Sequence, residues 1–422
     1  MITAVVGLNW GDEGKGRMVD YFASRADCVI RYQGGDNAGH TVVNHLGKFA
    51  LHNVPSGIFH SGVTNLVASG SVINPESLTR EIETLKGRGI DMGGLKISDR
   101  AILIFPFHLL LERLEEERLG SEAYGSTMSG ISPVYSHKYI KKGIQVGELL
   151  HPAYLKEHLE AVINYVNLLV HNGYRAEPVL AEEMLQWVKD WGAELRNRIV
   201  DSQALVRQLV ADGKPILLEA QLGALRDITH GIYPFTTSSS TLAGYACASV
   251  PVHPNSMEQV IGVTKAYSTC VGAGPFVTEF EPDDAAEFRR ISGEYGARTG
   301  RPRRIGHFDA VATRYGRDLQ GPTAVSLTCL DVLTGQGELK ICTAYDIDGN
   351  PTTRFPLNAG LDKARPLYEG LPGWDEDITA VRDFDDLPAA AQAYVLRIEE
   401  LLEVPVKYIS VGPEREALIA RD

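Results

Sequence analysis

Residues Gly11-Asp12-Glu13-Gly14-Lys15-Gly16 stand between an apolar, β-branched run, Ile2 to Leu8, and a stretch of helical character from Arg17 to Ala26. A short run of that kind reads as a buried parallel strand, so the glycine-rich hexapeptide is a strand-to-helix turn. Such a turn offers backbone N–H groups with no Cβ in the way, at the positive end of a helix, and Lys15 adds a full charge. The site it makes suits an anion, phosphate in particular. The spacing departs from G-x-x-x-x-G-K, because Gly7 to Gly14 is too long and Gly16 stands where Ser or Thr would hold Mg²⁺. Asp12 needs a reason of its own. A carboxylate inside a phosphate loop repels the ligand unless a cation or a proton transfer requires it.

With 422 residues, 44% of them hydrophobic, the chain can bury a large core, and its length fits two or three domains or one large α/β unit with insertions. A net charge of −13 argues against nucleic acid or an acidic membrane as partner, which leaves phosphate recognition to local clusters of Lys and Arg. The five cysteines, Cys28, Cys247, Cys270, Cys329 and Cys342, lack C-x-x-C spacing, so neither a disulfide framework nor a zinc site is expected. The first residues already carry a strand pattern and no apolar run approaches the ~18 residues of a membrane span. A cytoplasmic location is the expectation.

Cys28 to Tyr32 reads as a second strand, and Gln33-Gly34-Gly35-Asp36-Asn37-Ala38-Gly39-His40-Thr41 as a tight loop at its end, where ligands collect in open α/β sheets. There His40 can donate to a phosphoryl group in transfer. Helices are expected over Pro75–Lys86, Leu109–Leu119, Phe308–Arg317 and Pro388–Leu402. Strands are expected over Lys214–Glu219, Val260–Val271, Ala324–Leu330 and Val406–Val411. Between Pro152 and Asp212 apolar residues such as Leu155, Leu159, Val162, Tyr165, Val166 and Leu169 recur at threes and fours, which predicts a helical cover.

Six stretches carry a resemblance. Trp10 with Gly11 to Gly16, Gln33 to Thr41, Tyr233-Pro234-Phe235 with Thr237-Ser238-Ser239, Thr299 to Arg304, Leu330 to Leu333, and Ser410-Val411-Gly412-Pro413 resemble, in order, the motifs of adenylosuccinate synthetase. The resemblance implies an α/β fold: a large, mostly parallel central sheet with a P-loop-like phosphate loop and helical and loop insertions. It implies a single unit over residues 1–422, with a helix-rich insertion at about 106–212. It also implies a ligase that uses GTP to join the amine of aspartate to C6 of inosine monophosphate. On that carry-over Asp12 takes the N1 proton of the purine and His40 steadies the phosphoryl group. Asp12 and the carbonyl of Gly39 ligate Mg²⁺. Gly11, Glu13, Gly14, Lys15, Gly16, Gln33, Asn37 and Thr41 line the phosphate and nucleotide site, joined by Thr127, Lys141, Leu222, Thr237 and Arg303. Asp331, Ser410 and Gly412 take the guanine. Arg298, Thr299 and Arg301 take the amino acid, whose carboxylate matches the planar fork of Arg. A homodimer is implied as well, because the family residue at Lys141 reaches into the neighbouring subunit.

The chain departs from the family pattern at several of these places. Ser129, Lys141, Gln145 and Cys270 stand where Arg is usual, Leu222 where Gln is usual, Arg298 where Thr is usual and Cys329 where a guanine-stacking Lys is usual. Gln221 comes one residue early and points to the wrong face of a strand unless a bulge intervenes. Each lost cation removes about 1.5–3 kcal/mol of charged hydrogen bonding. Besides the ligase acting on inosine monophosphate, the sequence therefore leaves open a specialised paralogue using a modified or deoxy purine nucleotide or another amino acid, and a catalytically silent nucleotide binder.

Overall fold

Ten strands form the central sheet of the computed structural model, which describes residues 1–37, 39–296 and 300–421. In chain order they are β1 (Ile2–Gly7), β2 (Cys28–Arg31), β3 (Thr64–Val67), β4 (Leu95–Ser98), β5 (Ile199–Val200), β6 (Ile216–Gly223), β7 (Met257–Lys265), β8 (Ala324–Thr328), β9 (Val406–Ser410) and β10 (Leu418–Ala420). Their order across the sheet is β10-β9-β8-β7-β1-β6-β2-β3-β4-β5. Every pairing is parallel except β9 with β10. The central strand β1 is buried along its whole length, as its continuous apolar run requires when both faces are covered. Because the strands run parallel, the loops after β1, β2, β6, β7, β8 and β9 all emerge at one edge, where open α/β sheets bind ligands.

Helix α1 (Lys15–Ala23) begins two residues before the expected Arg17, because Gly14 takes a left-handed conformation (φ 95°) at the N-cap and no side chain caps the helix there. Its first N–H groups are left for a ligand. The run predicted as one strand over Val260–Val271 is two: β7 ends at Lys265, the chain turns, and Ser268–Cys270 pairs antiparallel with Arg304–Gly306. The helix predicted from Phe308 starts at Ala310, capped by Asp309, which accepts from Ala312 N at 2.9 Å. Helices Pro106–Leu119, Ile131–Tyr139, Pro152–Asn167, Ala181–Arg196 and Ser202–Ala211 fill the stretch between β4 and β6, and Leu155, Leu159, Val162 and Val166 join the core that also holds β3 and β4.

Asp309 is fully buried, and its second oxygen accepts from Tyr345 OH at 2.6 Å. Burial pushes its carboxyl up to about 6, against the hydrogen bonds that favour the anion. A carboxyl raised on folding binds its proton more tightly in the native state. Its contribution to stability is full below the ordinary aspartate pKa and is lost as pH rises through the folded value. Asp309→Asn, which keeps the shape without the titration, is expected to flatten the loss of stability between pH 4 and 6.5; urea melts at closely spaced pH values give the comparison.

Candidate functional site

The turn after β1 is braced from inside. Glu13, expected among the residues that line the nucleotide and phosphate site, turns its carboxylate inward: Oε1 accepts from Gly11 N at 2.8 Å and Asn9 N at 3.2 Å, and Oε2 pairs with Lys15 Nζ at 2.5 Å. The space for it comes from two glycines paired across β1 and β6, Gly7 and Gly223, where a Cβ on either would collide with the carboxylate. Thr328, at the end of β8, donates to Glu13 O at 2.6 Å. Asp12, by contrast, adopts φ 60° and keeps its carboxylate partly exposed.

His40 comes to this turn from the loop after β2. Gly16 admits it, because a Cβ there would lie 2.8 Å from His40 Cβ. The ring is buried, with Nδ1 2.5 Å from Glu219 Oε1, and Glu219 also accepts from Ser56 N (2.8 Å) and Ser56 Oγ (2.6 Å). His40 Nε2 is buried with no protein partner among the described residues. Burial holds the imidazole below its usual pKa, with Arg31 and Lys15 adding to the effect and Glu219 opposing it. Burial pushes Glu219 up, but hydrogen bonds from His40 and Ser56 and the charge of Arg31 keep it below the usual carboxylate value. With Nδ1 committed to the Glu219 carboxylate, Nε2 is left for a ligand.

The bulge that the sequence left as a condition is present. Residues Val5 and Gly7 of β1 face Glu219 and Gly223 of β6, so β6 carries two extra residues there, and Leu222 takes φ 60°. Gln221 faces the loop after β2: Oε1 accepts from Arg31 Nη2 at 2.6 Å and Nε2 donates to Asn37 Oδ1 at 2.7 Å. Leu222 packs on the other side, against Gly11. Gln33 links the two strands further, donating to Gln221 O at 2.6 Å and accepting from Ser239 Oγ at 2.9 Å.

A third set of groups arrives from beyond β7. Arg303 Nε lies 3.0 Å from Asp12 Oδ2, and its Nη1 pairs with Glu294. Glu294 also takes Lys265 Nζ at 2.6 Å and Tyr267 OH at 2.5 Å. Although burial pushes the Glu294 carboxyl up, Lys265 and Arg303 outweigh it and hold the group at about 2. Asp331 opens the turn after β8, and burial raises its carboxyl against a backbone hydrogen bond and the charge of Arg17. Arg17 of α1 pairs with Ser410 Oγ and donates to Ala417 O at 2.6 Å, which ties the loop after β9, with Gly412, to the phosphate turn.

The remaining expected residues make contacts of their own. Thr237 is buried and its N–H donates to Arg226 O at 2.9 Å. Thr127 Oγ1 lies 3.0 Å from Ser129 Oγ in a loop whose amides at 124–126 are held by Glu116. Arg301 donates to Gly125 O at 3.4 Å. Thr41 and Lys141 are exposed, and Arg298 and Thr299 lie outside the described residues. Sequence reading missed Glu219, Glu294 and Arg226. Glu219 had a signal: a carboxylate inside an apolar parallel strand has to be paired. Glu294 and Arg226 had none, because their partners are remote in sequence.

A sequence model of the family described as Adenylosuccinate synthetase matches residues 4–419. The chain is 48% identical over 419 residues to adenylosuccinate synthetase 2 of Pseudoalteromonas translucida and 44% identical over 419 residues to adenylosuccinate synthetase of Dehalococcoides mccartyi, with 99% of each chain covered. It is also similar to the solved structure of fully ligated adenylosuccinate synthetase from Plasmodium falciparum: TM-score 0.94, 33% identity, and coverage of 100% of this chain and 99% of that one.

Nitrogen-15 shifts of His40 are expected to be those of a neutral Nδ1–H imidazole at pH 6.5. Inorganic triphosphate is expected to move the titration upward, since an anion at Nε2 favours the cation. A fully protonated ring in the free protein at pH 6.5 would contradict this assignment.

Proposed function

The chain belongs to the adenylosuccinate synthetase family, and from that premise we infer its chemistry. It is a GTP-dependent ligase that forms the C–N bond between L-aspartate and C6 of inosine monophosphate, with GDP and phosphate as the other products, in purine nucleotide biosynthesis. A 6-oxo purine is a poor electrophile because oxide is a very poor leaving group. We assign Asp12 as the base that takes the N1 proton, so that O6 attacks the γ-phosphorus of GTP. The aspartate amine then adds to C6, loses its proton, and phosphate departs with the former O6. The Arg303 guanidinium, whose Nε lies 3.0 Å from Asp12 Oδ2, supports this role by holding the carboxylate in place.

The observation that carries the reading is His40, whose Nδ1 is committed to Glu219 while Nε2 is buried and unpaired among the described residues, against the phosphate turn. The negative charge of a triphosphate raises its affinity for a proton, and Nε2–H then stabilises the phosphoryl group in transfer. A protein that only bound nucleotides would gain nothing from this arrangement. Mg²⁺ suits the oxygen donors here, the part-exposed Asp12 carboxylate and the Gly39 carbonyl, with phosphate oxygens completing the set. Bound there, it supplies charge neutralisation at the β- and γ-phosphates.

We assign the turn amides and Lys15 to phosphate oxygens, and Gln33, Asn37, Thr41, Thr127, Leu222, Thr237 and Arg303 to the purine nucleotide. Arg298, Thr299 and Arg301 are assigned to aspartate, and Asp331, Ser410 and Gly412 to guanine. The protein is taken to act in the cytoplasm as one unit over 1–422 with a helical insertion at about 106–212. It acts as a homodimer to which the exposed Lys141 contributes across the interface.

Asp12→Asn is expected to lower adenylosuccinate formation by about 10²–10⁴-fold, the range for loss of a general base, with GTP still bound. Undiminished turnover would reject the assignment of the base. Asp331→Asn is expected to shift the preferred triphosphate from GTP toward xanthosine triphosphate. The amide donates to the C2 carbonyl of xanthine, where the carboxylate accepted from the guanine N1 and N2 protons; competition kinetics with the two triphosphates measures the shift.

A further inference from the structure

Arg226 closes the 3₁₀ turn Ala224–Arg226 that follows β6, and it is buried. Its guanidinium donates to Val271 O (2.7 Å), to Ala273 O (3.4 Å), to Phe235 O and to Cys270 Sγ (3.0 Å). The Arg226 carbonyl accepts from Thr237 N at 2.9 Å. One residue therefore fastens two loops, 233–239 and 271–274. The loops also touch directly, because a Cβ on Gly274 (φ 106°) would strike the Phe235 ring. Arg304 grips the second loop from its other side through Gly274 O at 2.7 Å and Gly272 O at 3.5 Å. Asp227, next in sequence, is engaged elsewhere, by Thr229 N, His230 N, Ser240 Oγ and Thr241 N. Among the described residues no carboxylate pairs with Arg226. A buried cation held only by neutral groups is costly, and a Leu or Met would fill the volume at less expense. What the guanidinium adds is directional: its fork of donors collects carbonyls from two loops at once.

The Cys270 thiol lies 3.0 Å from the guanidinium of residue 226, so position 270 is within reach of the same two loops. We propose that Arg226, from the turn after β6, is the clamp that fixes the 233–239 and 271–274 loops to each other. In this role Arg226 is a positioning residue for the purine nucleotide. It sets Thr237 and the 271–274 loop at a fixed separation along one wall of the nucleotide site. This rests on the assignment of Thr237 and Arg303 to that nucleotide.

The test is steady-state kinetics of the full chain with each substrate varied in turn. Arg226→Leu is expected to raise KM for inosine monophosphate about tenfold or more, because Thr237 and the 271–274 loop lose their fixed spacing and small misplacements of binding groups are costly. KM for GTP and kcat should stay within about threefold. The double change Arg226→Leu with Cys270→Arg is expected to recover most of that loss. An unchanged KM for inosine monophosphate, an equal loss for all three substrates, or no recovery in the double variant would overturn the proposal. A second readout does not depend on turnover: in Arg226→Leu, amide hydrogen exchange should quicken in 233–239 and 271–274 together, and unaltered exchange in both overturns the clamp. Failure of the unmodified protein to form adenylosuccinate would count against the reaction assignment, while the exchange measurement would still decide on Arg226.

Discussion

The register slip between β1 and β6 is the constraint from which the rest of the site follows. Two extra residues on β6 opposite Val5–Gly7 bring Gly223 beside Gly7 and open a hole for one carboxylate, that of Glu13. A carboxylate so buried is expensive unless paired, and here Lys15 and two backbone N–H groups compensate it. Removing one partner of such a pair costs about 3–5 kcal/mol. The turn assigned to phosphate is therefore shaped before any ligand arrives, so binding there need not spend free energy ordering it. The same slip puts Gln221 on Arg31 and Asn37 and Leu222 on Gly11.

Outward from that turn the groups alternate in charge. Asp12 meets Arg303, Arg303 meets Glu294, and Glu294 meets Lys265. On the other flank Arg31 lies near Glu219, which holds His40, and Lys15 acts on His40 from the phosphate-loop side. Each charge is sheltered by its neighbour, which lets groups stay charged in a region poor in water. The arrangement also means that no reactive side chain is held by its own stretch of chain alone. Asp12 is set by residue 303, and His40 by residue 219 and by the missing side chain of Gly16.

Local signals carried the fold well where they were local in origin. The apolar runs marked β1, β2, β6, β8 and β9, and the glycine-rich stretch marked the strand-to-helix turn after β1. A turn inside an apolar run is harder to read, because Ala266 and Tyr267 are as hydrophobic as the strand residues around them, so β7 and the strand Ser268–Cys270 looked continuous. The start of α1 moved because glycine at an N-cap carries no side-chain signature. The direction of the Glu13 side chain was not readable for a similar reason: nothing in its neighbours tells which way a turn residue points.

The amino-acid sequence by itself determined the kind of chemistry, since a strand, a glycine-rich turn with a carboxylate and a lysine, and a helix can be read from adjacent residues whose backbone preferences are short in range. It also named the fork of Asp12 and His40 and the motifs in their order. Only the tertiary structure decided that Glu13 braces the turn, that Glu219 orients His40, that Glu294 anchors Arg303, and that Arg226 stands against Cys270. Those pairings join residues from 2 to more than 170 positions apart through buried charges. Their partners are chosen by strand order and register, which no window of neighbouring residues contains.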